Sequence, residues 1–592
     1  MRFVWAVVAF VLATVMIGAG VAQRTVLQGP RTESRAIEIP VDSPYVVIDG
    51  EVLTSHSGSQ TLRARGDGEI LAVYGRTTDM TAWLARSDYV QVTVDDGEIV
   101  SRAVAAEPGA TTDGAAEIAP LDPLSSDLWL DVFRQDDLLM TSVQLPSDMS
   151  LLVATDGVEP APSDLTLTWP TGVTTPWAGP LIVGGGILML IGLVLYYLGV
   201  RHLRRSRGPR RKGTPLPPTE PIEISAADKG VISATPRRRG IGSGRRTLVA
   251  LPIALVSALA ITGCSPDAWP DLAGTPSPSP SETVVAPEGQ GAPAVTEAQA
   301  QRILTRISEQ VATADAAIDA TAAAERLEGA ALAARETNYR LRTALPDQSQ
   351  LPAIPAEELQ FLLPEAYDGW PRVFFAVVEP TPDDPAVVMS IAQQDPWSNY
   401  KLTYIATLGS ETNLNLAPAY VGALRIDPAS PFLLLPPAQL AAAYADVLDK
   451  GDDSEYAPYF DRQSDSFRTR VEEDRARRLE DFNRTGAETG ELTHQATPGE
   501  SDPVALATLD SGAIVAVTVY EHDTVTSTNE DAVIKLEGNL VVSTLAGVEQ
   551  SPKGFTTTYQ DQLFFFIPAQ SSTELIQFLG VSSQILDAKE IE

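Results

Sequence analysis

The densest group of side chains able to exchange protons lies at residues 520–523, in the sequence YEHD. Successive residues of a strand point to opposite faces of a sheet, so only Tyr520 with His522, or Glu521 with Asp523, can share a face. An acid beside a Tyr or His is the pairing that general acid–base catalysis uses. Three more residues are candidates for the same site: Asp395, Tyr400 and Tyr404. The simpler interpretation, which we favour, is a half-buried strand with a solvent-facing edge.

The rest of the sequence argues against common catalytic and metal sites. Its four histidines are scattered, and none forms an H-x-x-x-H pair. No segment matches G-x-S-x-G, H-E-x-x-H or a phosphate-binding loop. The acidic sequence DKGDDSEY at 449–456 is typical of a solvated turn. We therefore assign no catalytic, cofactor-binding or metal-ligating residue, predict no cofactor, and favour a protein that is not an enzyme.

Charge and cysteine content exclude further classes. The chain has 77 acidic and 43 basic residues and a net charge of −34, which disfavours nucleic-acid binding, since phosphates need clustered Lys and Arg. A single cysteine excludes intramolecular disulfides, zinc ribbons and iron–sulfur clusters.

That cysteine, Cys264, ends the sequence Ile261-Thr262-Gly263-Cys264. An Arg-rich stretch and an apolar run precede it, and a Pro/Ser-rich stretch typical of a flexible linker follows. This order resembles a bacterial lipoprotein signal, placed in mid-chain. The resemblance implies that Cys264 is a lipobox cysteine that receives diacylglycerol and is exposed by cleavage, and two acyl chains give stable anchoring. The alternative is a third transmembrane helix with a buried cysteine.

Two longer apolar runs, residues 3–22 and 180–200, have the length needed to span a bilayer. For the first run, we favour a retained helix over a cleaved signal peptide. The loop at 201–246 carries 13 Lys or Arg against three acids, and such loops stay cytoplasmic. We therefore predict a multi-pass cell-membrane protein that contacts the lipid bilayer, with both large domains outside the cytoplasm.

These boundaries predict eight consecutive parts. They are a transmembrane helix or signal anchor (1–22), an extracytoplasmic β domain (23–178), a transmembrane helix (179–200), a basic disordered cytoplasmic loop (201–246), a transmembrane helix or lipoprotein-type signal (247–264), a linker (265–295), and two α+β modules (296–430 and 431–592).

The β domain is predicted from short alternating strands and from three turn signals between apolar runs. The signals are Asp49-Gly50, Asp67-Gly68 and Asp96-Gly97. We expect an all-β antiparallel sandwich or barrel.

The C-terminal region twice repeats helices followed by strands, beginning with a capping box at Thr296 and Gln299. This order resembles the cone-shaped fold of the ketosteroid-isomerase and SnoaL-like superfamily. The whole arrangement is similar to uncharacterised actinobacterial membrane lipoproteins, some of which carry glycosyltransferase labels, although no such motif stands in this sequence. We expect a non-catalytic envelope protein whose acidic outer domains bind a peptide, an envelope polymer or a membrane partner. The alternatives are an envelope enzyme acting on glycan or lipid through a cone-fold pocket, and a membrane sensor.

Overall fold

A computed structural model describes residues 2–26, 32–56, 58–107, 121–171, 176–206, 293–357, 359–379, 381, 384–409 and 416–592. Most of the basic loop, the 247–264 segment with Cys264, and nearly all of the linker lie outside the described residues. The structure has two compact units, of which one contains the two apolar helices and the other contains the β domain and the C-terminal region. The predicted domain boundaries stay predictions.

Two helices are long and apolar enough to cross a membrane, α1 (Arg2–Thr25) and α4 (Ala178–Ser206). They pack along three glycines of α4 spaced seven residues apart, namely Gly185, Gly192 and Gly199. A Cβ at Gly185 would lie 2.6 Å from Ile17 Cγ1 and 2.9 Å from the Ala13 carbonyl oxygen. A seven-residue period keeps one face of a helix toward its neighbour, and glycine lets the two backbones approach closely.

The β domain is a mixed sheet that also carries two short helices. Its sheet order is β1-β8-β3-β7-β2-β4-β5, with β6 paired to β3. Strands β2 and β4 are parallel, which corrects the expected all-β antiparallel fold, because a helix-containing connection returns the chain to the same end of the sheet. The elements are β1 (Thr32–Ile37), β2 (Tyr45–Ile48), α2 (Gly50–Leu53), β3 (Gln60–Arg76), α3 (Thr77–Leu84), β4 (Tyr89–Asp95), β5 (Glu98–Val104), β6 (Asp131–Val143), β7 (Met149–Ala154) and β8 (Asp164–Pro170).

Only one of the three turn signals forms the predicted hairpin. Asp96 and Gly97 join β4 to β5 with φ angles of 49° and 82°, as a tight hairpin requires. The prediction at Asp49-Gly50 was wrong, since Asp49 precedes helix α2. The prediction at Asp67-Gly68 was also wrong, since both residues lie inside the long strand β3, where its register with β6 shifts.

The C-terminal region contains two successive groups of helices and strands. The predicted capping box is confirmed, with Thr296 and Gln299 bonding to each other's backbone at the start of the first helix. The first group is α5 (Glu297–Ala317), α6 (Ala320–Ala324), α7 (Gly329–Ala344), β9 (Leu359–Pro364), β10 (Arg372–Val378), β11 (Val387–Gln393) and β12 (Lys401–Leu408). The second group is α8 (Pro437–Lys450), α9 (Ser466–Thr485), β13 (Gly490–Pro498), β14 (Val504–Ala507), β15 (Ala513–Ser527), β16 (Ile534–Lys535), α10 (Leu540–Ala546), β17 (Gln550–Ser551), β18 (Gly554–Ile567) and β19 (Gln577–Glu590).

Nine of the eleven strands form one sheet, in the order β13-β15-β18-β19-β12-β11-β10-β9, with β14 on β15, and both groups contribute to it. Strands β16 and β17 form a separate two-stranded sheet. The groups meet where β12 pairs with β19 through two residue pairs, Thr407 with Val581 and Leu408 with Gly580. Alternate residues of each strand face different cores. In each group, one face of the sheet packs on the helices of that group and forms a core. The opposite faces of the two groups pack on a third core that both share.

Candidate functional site

The predicted proton-exchanging residues lie on strand β15, and the structure divides them between its two faces. On one face, the His522 ring lies 2.9 Å from the Thr497 hydroxyl and 3.0 Å from the Thr558 hydroxyl. Burial lowers the pKa of His522, so the ring is neutral at pH 7. These contacts join three neighbouring strands through neutral groups, which is a structural role.

On the other face, Glu521 and Asp523 form ion pairs with helix α9. Arg475 lies 3.1 Å from Glu521, Arg478 pairs with Asp523, and His494 Nδ1 lies 2.5 Å from Asp523. Burial acts to raise the pKa of Asp523, but the His494 hydrogen bond and the Arg478 charge lower it below its usual range. Burial raises the pKa of Glu521, against the opposing charge of Arg475. This network holds helix α9 on the sheet.

Asp561 on β18 is a buried acid that sequence reasoning missed. Its side chain is fully buried, and neither carboxyl oxygen makes a well-formed hydrogen bond with the described residues. Burial raises its pKa to about 8, with a further contribution from Glu521. The acid is therefore mostly protonated at neutral pH, but a substrate has no access to a side chain with no exposed surface. The alternation of residues along β18 places Asp561 on the face toward the helices, and this position in the sequence could have indicated its burial.

The other three candidates lie at separate positions in the structure. Asp395 accepts hydrogen bonds from the backbone N–H groups of Trp397 and Ser398, both 2.8 Å long, and so closes a turn. Tyr400 is fully buried beside the β domain. The Tyr404 hydroxyl donates to the Asp502 carbonyl at 2.7 Å. The structure does not gather these residues with Tyr520 or His522 into one catalytic arrangement.

A cleft lies where the sheet divides between the two groups. Beyond their two shared residue pairs, β12 and β19 diverge, and the Ile405 N–H donates to the Gln562 side chain at 2.9 Å. The cleft has a volume of about 570 Å³, within the range of ligand-binding clefts. Residues from both groups line it, including Arg335, Ile354, Thr407, Arg470, Gln562 and Ser582. We call it the inter-module cleft.

The inter-module cleft offers polar and charged groups beside apolar ones. Arg470 and Asp474 lie about one turn apart on helix α9 and bring both signs of charge. The Arg335 guanidinium is held 2.5 Å from buried Asp315, which fixes that wall. Among the described residues that line the cleft, none is aromatic or a histidine. The cleft is therefore equipped to bind by hydrogen bonds, charge and apolar contact.

Comparison with known proteins gives one match. Residues 291–590 match the family described as Domain of unknown function (DUF8094). No curated protein and no solved structure matches the chain. The matched residues make up half of the sequence and contain both helix–strand groups and the inter-module cleft. The chain therefore belongs to the DUF8094 family.

Proposed function

We propose that the protein is a non-catalytic membrane protein of the cell envelope that binds a peptide segment of an envelope partner in the inter-module cleft. Helices α1 and α4 anchor it, and the β domain and the DUF8094 domain lie outside the cytoplasm. The basic residues that follow α4 support this orientation, because positive loops stay inside. Lipidation at Cys264 would add a second anchor.

A single observation carries the non-catalytic assignment: the spaces between helices and sheet are filled. We propose that each helix–strand group is a cone-like module, in which an active-site pocket would lie between helices and sheet. In the second module, this space contains Tyr444, Phe565 and Phe578, all buried, and the Tyr444 and Phe565 rings are 4.8 Å apart. In the first module, Phe374 and Tyr400 fill the corresponding space with rings 5.5 Å apart. Both modules thus use their interior for packing.

The lining of the inter-module cleft favours a peptide over a glycan or a lipid. Protein sites for sugars commonly stack an aromatic ring on the sugar face, and no aromatic residue is found in the part of this lining that the structure describes. An acyl chain needs a mainly apolar pocket, whereas this cleft mixes Arg, Asp, Gln and Ser with aliphatic side chains. A short extended peptide has backbone donors and acceptors for the polar groups and side chains for the apolar ones.

The packing of α1 on α4 supports two retained membrane helices. A signal peptide is removed after export and needs no fixed partner. Here Phe3 of α1 meets Tyr196 of α4 edge to face with ring centroids 5.8 Å apart, and the three glycines of α4 lie against α1. A helix pair matched along its length is consistent with a permanent anchor.

The experiment selects random displayed peptides on the full-length protein in lipid nanodiscs. Ser582→Trp fills the cleft from a half-buried position, and Ser582→Ala is the matched control. We expect selected peptides to bind wild type and Ser582→Ala equally and Ser582→Trp at least about tenfold more weakly. Equal binding to all three proteins, or no enrichment on wild type, would overturn the proposal.

A charge reversal gives an independent check at the same site. Arg470→Glu changes a cleft residue of α9, whereas Arg484→Glu changes an exposed arginine near the end of the same helix. We expect only Arg470→Glu to weaken binding of the selected peptides. An equal effect of both substitutions would show that overall charge, and not the cleft, determines binding.

A further inference from the structure

The β domain and the DUF8094 domain are joined by a buried pair of opposite charges. Asp79 on α3 accepts two hydrogen bonds from Arg372 on β10, at 2.6 and 3.1 Å. The exposed fractions of the two side chains are 1% and 0%. Arg76 also donates to Asp79 at 3.0 Å, and Arg372 donates to the Gly369 carbonyl at 2.9 Å. Both charged groups therefore have several hydrogen-bond partners, which charged groups removed from water require.

A second buried carboxylate repeats this arrangement with a different set of partners. Asp127 of the β domain has no exposed side-chain surface. It accepts from Arg306 at 2.9 Å, from Arg326, and from the Tyr400 N–H at 3.0 Å. All three donors belong to the DUF8094 domain. The β domain thus supplies the acids of both clusters, and the DUF8094 domain supplies arginines to each.

Tryptophan side chains and backbone hydrogen bonds surround these charges. Trp370 and Trp397 of the DUF8094 domain pack on the β-domain core that contains Trp83 and Trp129. The Trp397 indole donates to the Trp83 carbonyl at 2.8 Å. Buried Trp and Arg anchors with fully desolvated charge pairs are typical of the centre of a specific protein–protein interface.

All of the contacts described above are made by residues before 171 and after 292. The β domain ends at residue 170, and its partner surface begins at Pro293 and Ala294, whose carbonyls accept from Arg76 at 2.8 and 2.6 Å. The family match begins at residue 291, so the β domain lies outside it. We infer that the β domain is a protein partner of the DUF8094 domain, and that the two stay bound as separate chains when the segment between them is cut.

The test uses the full chain with a site-specific protease sequence inserted after residue 280 and an affinity tag at the C-terminus. The protein is purified in detergent, cut, and captured through the tag at 0.15 M and 1 M salt. We expect the N-terminal fragment to be retained one-to-one at both salt concentrations, because buried ion pairs are weakly screened. Release of that fragment from the cut wild-type protein at either concentration would overturn the inference.

A double-substitution cycle tests whether the buried pair carries the specificity. Arg372→Leu leaves Asp79 buried without its main partner, and we expect at least about tenfold less retention after cutting. Adding Asp79→Leu replaces the pair by apolar contact, and we expect retention to recover. Far-UV circular dichroism of the uncut variants checks that both are folded. Equal retention of the single and double variants would contradict a role for the pair.

Discussion

The rings of Phe375 and Phe564 meet edge to face, with centroids 5.8 Å apart, in the core that the two DUF8094 modules share. Phe375 belongs to β10 of the first module, and Phe564 belongs to β18 of the second. Strands β12 and β19, at which the two groups meet in the sheet, share two residue pairs. The shared apolar core, more than the backbone ladder, therefore holds the two modules together.

Removal of one ring should destabilise both modules. Phe564→Ala is expected to lower the free energy of unfolding by about 3–5 kcal/mol, the usual cost of truncating a buried Phe. Hydrogen exchange followed by mass spectrometry should show faster exchange in β10 as well as in β18. Leu479→Ala, at an exposed position of α9, serves as the control. Faster exchange confined to the second module would contradict a shared core.

The buried acid Asp561 should make stability depend on pH. The folded protein holds this proton up to about pH 8, whereas an unfolded Asp releases it near its usual pKa. The folded state therefore binds more protons between these limits, and the free energy of unfolding should fall by roughly 1 kcal/mol per pH unit as the pH rises. Asp561→Asn should flatten this dependence in urea unfolding at pH 5, 7 and 9. Identical slopes for variant and wild type would show that Asp561 is ionised in the folded protein.

The close contact between α1 and α4 should be lost when a glycine of α4 that faces α1 is replaced by a larger residue. Gly185→Leu is expected to separate α1 from α4, because even a Cβ there would lie within 3 Å of Ile17. The readout is disulfide formation between cysteines placed at Phe3 and Tyr196, in a Cys264→Ser background. Gly186→Leu is the matched control, since a Cβ at Gly186 meets nothing within 4 Å. Equal cross-linking in both variants would mean that the contact at Gly185 is not needed.

The lipobox prediction is tested by Cys264→Ala in the native membrane. If the motif works, a wild-type protein tagged at the C-terminus should yield a fragment that begins with acylated Cys264, and the variant should remain full length. Intact mass spectrometry and gel mobility report both changes. Full-length, unacylated protein in both strains would instead support a third membrane-spanning helix.

Local patterns in the sequence predicted those features that depend on a few neighbouring residues. The capping box at Thr296 and the turn at Asp96-Gly97 both follow from side chains and φ angles within four residues. Composition alone identified the two apolar helices. The Asp67-Gly68 pair shows the limit, because long-range pairing with β6 keeps β3 extended through a sequence that favours a turn.

The important contacts of the candidate sites could not be predicted from the sequence, for the same reason. Asp79 and Arg372 are 293 residues apart in sequence, and nothing local distinguishes them from solvent-exposed charges. The inter-module cleft depends on the divergence of β12 from β19, which is a tertiary feature. The YEHD strand was correctly expected to divide its side chains between two faces, but the partners on each face come from other strands and from α9.

The division of acids and arginines between the two halves has an evolutionary consequence. Position 79 supplies only the carboxylate, and position 372 supplies only the guanidinium, so a change at either one leaves a buried charge unmatched. Lineages should therefore tolerate substitution at these two positions together more readily than singly, and positions 127 and 326 should follow the same rule. Covariation between positions so far apart in the sequence would record the association of the two domains.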